Sequence, residues 1–343
     1  MTNAEFRKQT FHFKLPSGTS RGILTKKYSW FIELRSEGKI GIGECSIIEG
    51  LSPDFSDSKS YETKLNQTIE SIQKGELNFE NAHQKLIDFP SILFGLETAF
   101  LDLKNGGKGL IIDNSFSRGI TSIAINGLIW MGSKSFMQEQ IKEKIAEGFT
   151  TIKLKIGIDF DKEIELLTQL RREFNSAKIT LRVDANGAFH PSQAMEKLKQ
   201  LAQLEIHSIE QPIEVNQWQE MKELCKKSPI PIALDEELIG ISALDKKKEL
   251  LEVIQPPFII LKPSLHGGIH GTKEWINLAE ERAIKWWITS ALESNIGLNA
   301  VCQLAAEFEN QLPQGLGTGS LYIDNSDSDL VVEKGMIFKK ISE

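Results

Sequence analysis

Three acidic residues, each placed where a β-like apolar run stops, and three lysines around them are the residues that could act together. Ile179–Gly187 reads ITLRVDANG, with Asp184 at its end and Asn-Gly punctuation directly after. Glu210 ends the run IHSIEQP at Ile206–Pro212, and Asp235 ends PIALDE at Pro231–Glu236. Thr151–Gly157 (TIKLKIG) carries Lys153 and Lys155, and Phe258–Pro263 (FIILKP) ends in Lys262. Strand side chains alternate faces, so Lys153 and Lys155 share one face and Arg182 and Asp184 share another. Any one of these acids alone reads as a solvated loop acid or a helix cap, and a lone Lys-x-Lys as a solvated edge. Recurrence at matching strand ends changes that reading. Three carboxylates brought together repel unless a hard divalent cation sits among them, and all-oxygen ligation with open positions favours Mg²⁺ over zinc. Clustered cations and partial burial are expected to lower a lysine pKa, which makes an amine available as a base. The metal would then stabilise an enediolate formed by proton removal next to a carboxylate.

The elements that must position these groups recur with a regular period. From Lys155 through Asp184, Glu210 and Asp235 to Lys262 the steps are 29, 26, 25 and 27 residues, the length of a strand, a helix and two short loops. Such a period predicts a parallel barrel, whose C-terminal strand ends converge on one mouth. Ser122–Gly127 (SIAING) is the expected first strand, Lys285–Ser290 (KWWITS) the seventh, and Gln314–Thr318 a short eighth. Helices are expected over 133–147, 160–173, 191–204, 216–227, 239–252, 272–282 and 293–309.

The first third has a different pattern. Phe11–Leu15, Leu24–Arg35 and Lys39–Ser46 read as strands, with a tight hairpin at Ser36-Glu37-Gly38, and helices follow over 58–74, 79–87 and 91–103. Strands followed by helices indicate a separate α+β unit. The expected domains are therefore a capping unit over 1–118, a barrel over 119–320, and a tail over 321–343 that returns to the capping unit. Pro16–Lys27 (PSGTSRGILTKK) reads equally as a mobile connection or a lid over substrate.

Composition excludes several functions. A formal charge of −7 offers no basic surface for nucleic acid. Cys45, Cys225 and Cys302 are far apart in sequence and lack metal-like spacing, which suits free thiols in a reducing compartment. The start lacks an apolar leader and no apolar run reaches membrane length, so the expectation is a cytoplasmic protein with no membrane partner.

The segments KLKIG, RVDANG, IEQP, ALDEE and ILKPSLHGG resemble the enolase superfamily in its muconate-lactonizing subgroup, and the likeness covers nearly the whole chain. A Lys or His base paired with Mg²⁺ is the general pattern of that superfamily. Within it, PSILFGLETAFLDL at 90–103, ITSALESNIGLNA at 288–300 and GLGTGSLY at 315–322 look most like the o-succinylbenzoate synthase family. The resemblance implies an α/β fold, a modified (β/α)8 TIM barrel behind an N-terminal α+β capping domain. It implies Asp184, Glu210 and Asp235 as ligands of Mg²⁺, with Mn²⁺ able to substitute, and Lys155 and Lys262 as the catalytic pair. The implied reaction is a syn-dehydration of a cyclohexadiene carboxylate in menaquinone biosynthesis, in which Lys155 takes the proton alpha to the carboxylate and then assists departure of hydroxide. Lys262 would stabilise the intermediate from the opposite face.

Relatives in this subgroup run other reactions with the same groups. A dipeptide epimerase typically holds a substrate ammonium with Asp-x-Asp on the eighth strand, where GLGTGSLYIDN has Gly and Thr instead. An N-acylamino-acid racemase or a cycloisomerase activity remains an alternative, whereas a non-catalytic barrel would be expected to have lost one of the five groups. Lys153, Ser290, Gly317 and Thr318 are candidate substrate contacts near the succinyl tail. His266 and His270 flank Gly267-Gly268, a placement that suits substrate contact or plain solvation. Only one of Trp286 and Trp287 can face the interior, and Arg182 either pairs with a metal-site acid or bridges barrel layers.

Overall fold

The period between acids and lysines arises from seven parallel strands that share one interior, each followed by a helix. The computed structural model describes residues 3–19 and 22–341. The barrel strands are β5 (Gly127–Ile129), β6 (Thr151–Lys155), β7 (Thr180–Asp184), β8 (Ser208–Glu210), β9 (Ile232–Leu234), β10 (Phe258–Leu261) and β11 (Lys285–Ile288), hydrogen-bonded in that order. Their helices are α4 (Lys134–Ala146), α5 (Phe160–Glu173), α6 (Pro191–Ala202), α7 (Trp218–Lys227), α8 (Leu244–Ile254), α9 (Gly268–Glu280) and α10 (Asn295–Ala305). Closure comes from Gln314 and Gly315, which bridge in parallel to Ile125 on one side and Thr289 on the other. The eighth strand is thus two residues at the start of the expected 314–318.

Alternation sorts each strand. Ile152, Leu154, Leu181, Val183, Ile209, Ile232, Leu234, Ile259, Leu261 and Ile288 point outward into the core shared with the helices. The inward set carries the acids and lysines. Ala233, Phe258, Ile260 and Trp287 pack its floor, and Arg182 stacks on Trp287 with its guanidinium carbon 4.1 Å from the ring centroid. Arg182 also donates to Pro313 O at 2.7 Å, so it bridges barrel layers. Trp286 lies outside, edge-on to Phe308.

The first barrel strand starts later than SIAING suggests. Ile123–Ala124 (β4) pairs antiparallel with β13 (Met336–Lys339), itself paired with β12 (Leu330–Glu333), while Gly127–Ile129 enters the barrel. The apolar pair at 123–124 is used as an edge for the C-terminal hairpin. The tail accordingly divides. Lys14 N donates to Leu321 O and Ile323 N to His12 O beside the first domain, whereas β12 and β13 sit under the barrel. Two helices also shift at their starts. The 239–252 prediction becomes a 3₁₀ turn at Glu236–Leu238 followed by α8, and the 272–282 prediction starts earlier, at Gly268.

The capping unit is an antiparallel sheet of β1 (Asn3–Thr19), β2 (Gly22–Ser36) and β3 (Lys39–Ile47), covered by α1 (Ser58–Gln73), α2 (Phe79–Lys85) and α3 (Pro90–Lys104). Glu37 and Gly38 both have positive φ, which makes the hairpin that the sequence signals. Helix α3 lies directly on the sheet: a Cβ on Gly43 would come within 1.8 Å of Gly95 O. Pro16–Lys27 is not a loose connection. Ser17 pairs with Leu24 and Gly18 with Ile23, so the hairpin continues through it; Ser20 and Arg21 lie outside the described residues.

Two buried carboxylates join the cap to the barrel. Glu44 on β3 accepts from Ser294 N (3.0 Å), Ser294 Oγ (2.5 Å) and Gly297 N (3.0 Å) at the start of α10, and from Ser29 Oγ at 2.6 Å. Glu97 on α3 accepts from Ile269 N (2.5 Å) and His270 N (3.3 Å) at the start of α9, and burial pushes its carboxyl up to about 8. Each carboxylate meets amides that a helix N-terminus leaves unpaired. Glu44→Ala should strand those buried donors at a cost of about 2–4 kcal/mol, seen as a lower urea midpoint. An unchanged midpoint would show that Glu44 does not hold the domains together.

Candidate active site at the barrel mouth

Strand register sets the first geometry. Lys155 pairs with Asp184 and Asp184 with Glu210, so three neighbouring strands end in charged, inward residues at one level. Asp235 follows β9 and Lys262 follows β10 on the same inner surface. All six of Lys153, Lys155, Asp184, Glu210, Asp235 and Lys262 are buried. The structure brings together every acid and lysine that the sequence singles out.

Each carboxylate is engaged by a lysine amino group. Lys155 Nζ lies 2.9 Å from Asp184 Oδ2, and Lys153 Nζ lies 3.0 Å from Asp184 Oδ2 and 2.5 Å from Glu210 Oε2. Lys262 Nζ donates to Asp235 Oδ2. Burial opposes the charge on Asp184, but Lys153 and Lys155 outweigh it and hold the carboxyl well below its usual range. Glu210 goes the other way, because burial and then repulsion from Asp184 push its carboxyl up. Burial also opposes charge on Lys153 and Lys262, yet the surrounding carboxylates win and both lysines are raised. That reverses the expectation of lowered lysine pKa for these two: clustering brings cations together, but it brings as many acids.

The donor set fits a hard divalent cation. Glu210 Oε1 and Asp235 Oδ1 are buried and make no hydrogen bond, while Asp184 Oδ1 takes Asn186 N at 3.0 Å. Unpartnered carboxylate oxygens on adjacent strands are costly unless something positive meets them. With only oxygen ligands, Mg²⁺ or Mn²⁺ suits the set better than zinc.

Asp184 and the three lysines open onto a cavity with about 750 Å³ of empty space including its mouth. Lys153, Lys155, Lys262, Ser290, Gly317 and Thr318 line it, so the candidate substrate contacts share one space with the lysine pair. Thr318 Oγ1 donates to Ser290 Oγ (2.9 Å), which donates to the buried Glu293 (2.6 Å). The walls are apolar and come from both domains: Leu24, Ile48 and Leu51 from the cap, Leu128, Trp130 and Leu292 from the barrel. Gly18 O accepts from Met131 N at 3.1 Å, which fastens the first hairpin to the barrel mouth.

Sequence reasoning missed three groups. Asn186 accepts from Lys155 Nζ at 2.8 Å and donates to Glu236 at 2.9 Å. Gln211 Oε1 receives Asp235 N (3.3 Å) and Glu237 N (3.2 Å), tying the ends of β8 and β9. Both stand one or two places after a strand-end acid, at positive φ, which is the signal that could have found them. Asn126, on the cavity wall, has no comparable cue. His266 departs from both readings offered for it. It is buried, its Nδ1 accepts from Lys262 N at 2.9 Å, and burial depresses its pKa to about 3, so a neutral ring fixes the Lys262 loop. His270 is exposed on α9, and neither histidine is among the residues lining this cavity.

Comparison with known proteins agrees with this architecture. Residues 136–339 match the family described as Enolase C-terminal domain-like. An o-succinylbenzoate synthase of Desulfotalea psychrophila is 46% identical over 97% of this chain and 97% of its own. The crystal structure of MenC from Desulfotalea psychrophila superposes with a TM-score of 0.88 at 42% identity, covering 98% of this chain and 99% of that one. An L-Ala-D/L-Glu epimerase of Francisella tularensis subsp. novicida is 29% identical over 66% of this chain and 63% of its own.

Titrating the purified protein with Mn²⁺ and following the free ion by EPR should reveal one site. Glu210→Gln should weaken it roughly tenfold or more by removing a charged oxygen donor. Equal Mn²⁺ binding by the variant would remove Glu210 from the ligand set.

Proposed function

This chain belongs to the enolase superfamily, and from that premise we propose that it is an o-succinylbenzoate synthase with Mg²⁺ as its metal. It is a lyase that takes water from 2-succinyl-6-hydroxy-2,4-cyclohexadiene-1-carboxylate to give 2-succinylbenzoate, a step of menaquinone biosynthesis. The observation that carries this reading, beside the near full-length relative, is the charge of the cavity. Three lysines face it and Asp184, already engaged by two of them, is the one carboxylate among its described lining residues. Such a site suits an anionic carbocycle between apolar walls and offers nothing to hold a substrate ammonium.

Asp184, Glu210 and Asp235 are the groups that would hold the cation. When bound there, the metal supplies electrostatic stabilisation to negative charge building on the substrate carboxylate. Lys155 takes the proton from the ring carbon that carries the carboxylate, its amine oriented by Asp184 and Asn186. The same nitrogen, now an ammonium, returns that proton to the hydroxyl group, which leaves as water. Lys262, four strands away across the barrel, stabilises the developing charge from the other side as an ammonium held by Asp235. Elimination leaves an aromatic ring, so the second half needs little help from the protein. Leu24, Ile48 and Leu51 exclude water from the ring, and Ser290, Gly317 and Thr318 provide the polar edge for the succinyl chain.

Activity on the cyclohexadiene carboxylate, measured beside a panel of dipeptides and N-acylamino acids, tests the assignment. Dehydration should exceed any epimerisation or racemisation by orders of magnitude in kcat/KM. Lys155→Ala should lower dehydration at least about a hundredfold, as loss of a general base does, and Lys262→Ala about 10²–10³-fold through lost charge stabilisation. Efficient dipeptide epimerisation with the cyclohexadiene untouched would overturn the reaction while leaving the superfamily intact.

The first hairpin has its own test. We propose that it acts as a lid, because Leu24 lies on the cavity wall and Gly18 on the barrel rim. Leu24→Ala should raise KM several-fold with a smaller effect on kcat, the pattern of lost uniform binding. Unchanged steady-state constants would count against the lid.

A further inference from the structure

Helix α9 carries a second group of metal-type ligands on the far side of the Lys262 loop. His270 and Glu274 are four residues apart on one face of α9, and His83 reaches them from α2 of the capping unit. The two imidazoles stack with centroids 3.8 Å apart. Glu274 Oε1 lies 3.4 Å from His270 Nε2 and 3.9 Å from His83 Nε2. One ligand atom from each of the three residues lies within 4.8 Å of the others.

Hydrogen bonding does not account for this arrangement. Both nitrogen-to-oxygen distances exceed hydrogen-bond length, and His83 Nδ1 is buried with no partner. Glu274 is fixed from behind, because Lys247 Nζ lies 2.7 Å from its other oxygen, Oε2, and is itself buried against α9. Oε1 is thereby turned toward the imidazoles. Metal–ligand distances of about 2.0–2.1 Å in a tetrahedral site place two donors about 3.3 Å apart. The His270–Glu274 pair already has that separation, and His83 completes the set by swinging its ring out of the stack on His270 and closing on Glu274 Oε1 from 3.9 Å. His270 is exposed, which leaves an entry path and room for a water as fourth ligand.

We propose that His83, His270 and Glu274 form a binding site for a borderline divalent cation of the Zn²⁺ class, which ties the capping unit to the barrel. Two imidazoles and one carboxylate favour Zn²⁺, Co²⁺, Ni²⁺ or Cu²⁺ over the oxygen-preferring Mg²⁺. The ion joins α2 to α9, the helix whose first turn also receives Glu97 from α3. It is separate from the carboxylates at the barrel mouth, and nothing in its argument depends on the reaction run there.

Zn²⁺ binding to the full chain, measured by calorimetry in excess Mg²⁺, tests the site, with Co²⁺ absorption as the report of coordination. The wild-type protein should bind one equivalent of Zn²⁺ that Mg²⁺ does not displace, and its thermal midpoint should rise on binding. His270→Gln, at an exposed position, should weaken that equivalent at least tenfold and remove the rise in midpoint. His83→Ala should do the same. Glu210→Gln, altered only at the barrel mouth, should retain both. Binding unaffected by either histidine substitution, or lost in Glu210→Gln, would overturn the proposal. Absence of any bound equivalent in excess Mg²⁺ would do so as well, leaving the three residues an ordinary interdomain contact.

Discussion

Burying three carboxylates at three successive strand ends is the constraint on which the rest of this structure depends. Isolated, such a trio would be forced to take up protons or to open to water. The barrel meets the cost by placing a lysine amino group against each acid, with Lys153 between Asp184 and Glu210, Lys155 on Asp184 and Lys262 on Asp235. Neutralisation is incomplete at the level of single atoms, because Glu210 Oε1 and Asp235 Oδ1 are unpartnered. The charges therefore balance while two oxygens keep their affinity for a cation. A fully paired cluster would be more stable and less able to bind one.

Keeping that cluster from bulk water is the task of the capping unit. Its attachment uses the same physics in a different place. Glu44 and Glu97 each enter the start of a barrel helix, where their oxygens accept from amides that the helix leaves unpaired. Lys27 ends the Pro16–Lys27 segment and lies buried 3.6 Å from Glu44, so the hairpin over the mouth and the seam between the domains share one polar network. Leu24, Ile48 and Leu51 are thus held over the cavity by contacts that lie outside it. The buried acids and lysines stand on barrel strands, while Leu24, Ile48 and Leu51 of the cavity wall come from the cap, an arrangement that lets one vary without disturbing the other.

The parts legible in sequence were those governed by periodicity. Strand alternation and a steady 25 to 29 residue step were enough to bring Lys155, Asp184, Glu210, Asp235 and Lys262 together, because parallel strands leave little freedom in where their ends point. Quantities that depend on the sum of many neighbours were not legible. The direction of the Lys153 and Lys262 shifts follows from the balance of burial against several charges, and no local pattern encodes it. His266 reads as a solvated loop residue until the fold closes over it and turns its ring to Lys262 N. The SIAING segment was misplaced for a related reason: a short apolar pair fits any free edge, and here the C-terminal hairpin took it.

Relatives of this chain include both an o-succinylbenzoate synthase and an L-Ala-D/L-Glu epimerase, so the fold alone does not select the chemistry. What differs must lie where substrate is held but not transformed. In this chain the last strand contributes Gly315 to the cavity wall, with Gly317 and Thr318 just beyond, and the nearby buried acid, Glu293, is committed to Ser264 and Ser290. A glycine backbone and a hydroxyl accept a flexible anionic chain without opposing it. An aspartate in their place would bring a second carboxylate to a cavity lined by three lysines and one aspartate, repelling a dicarboxylate and attracting an ammonium. On the proposed function, selection between dehydration and epimerisation would then be an electrostatic property of one short strand, superposed on the buried cluster of lysines and carboxylates.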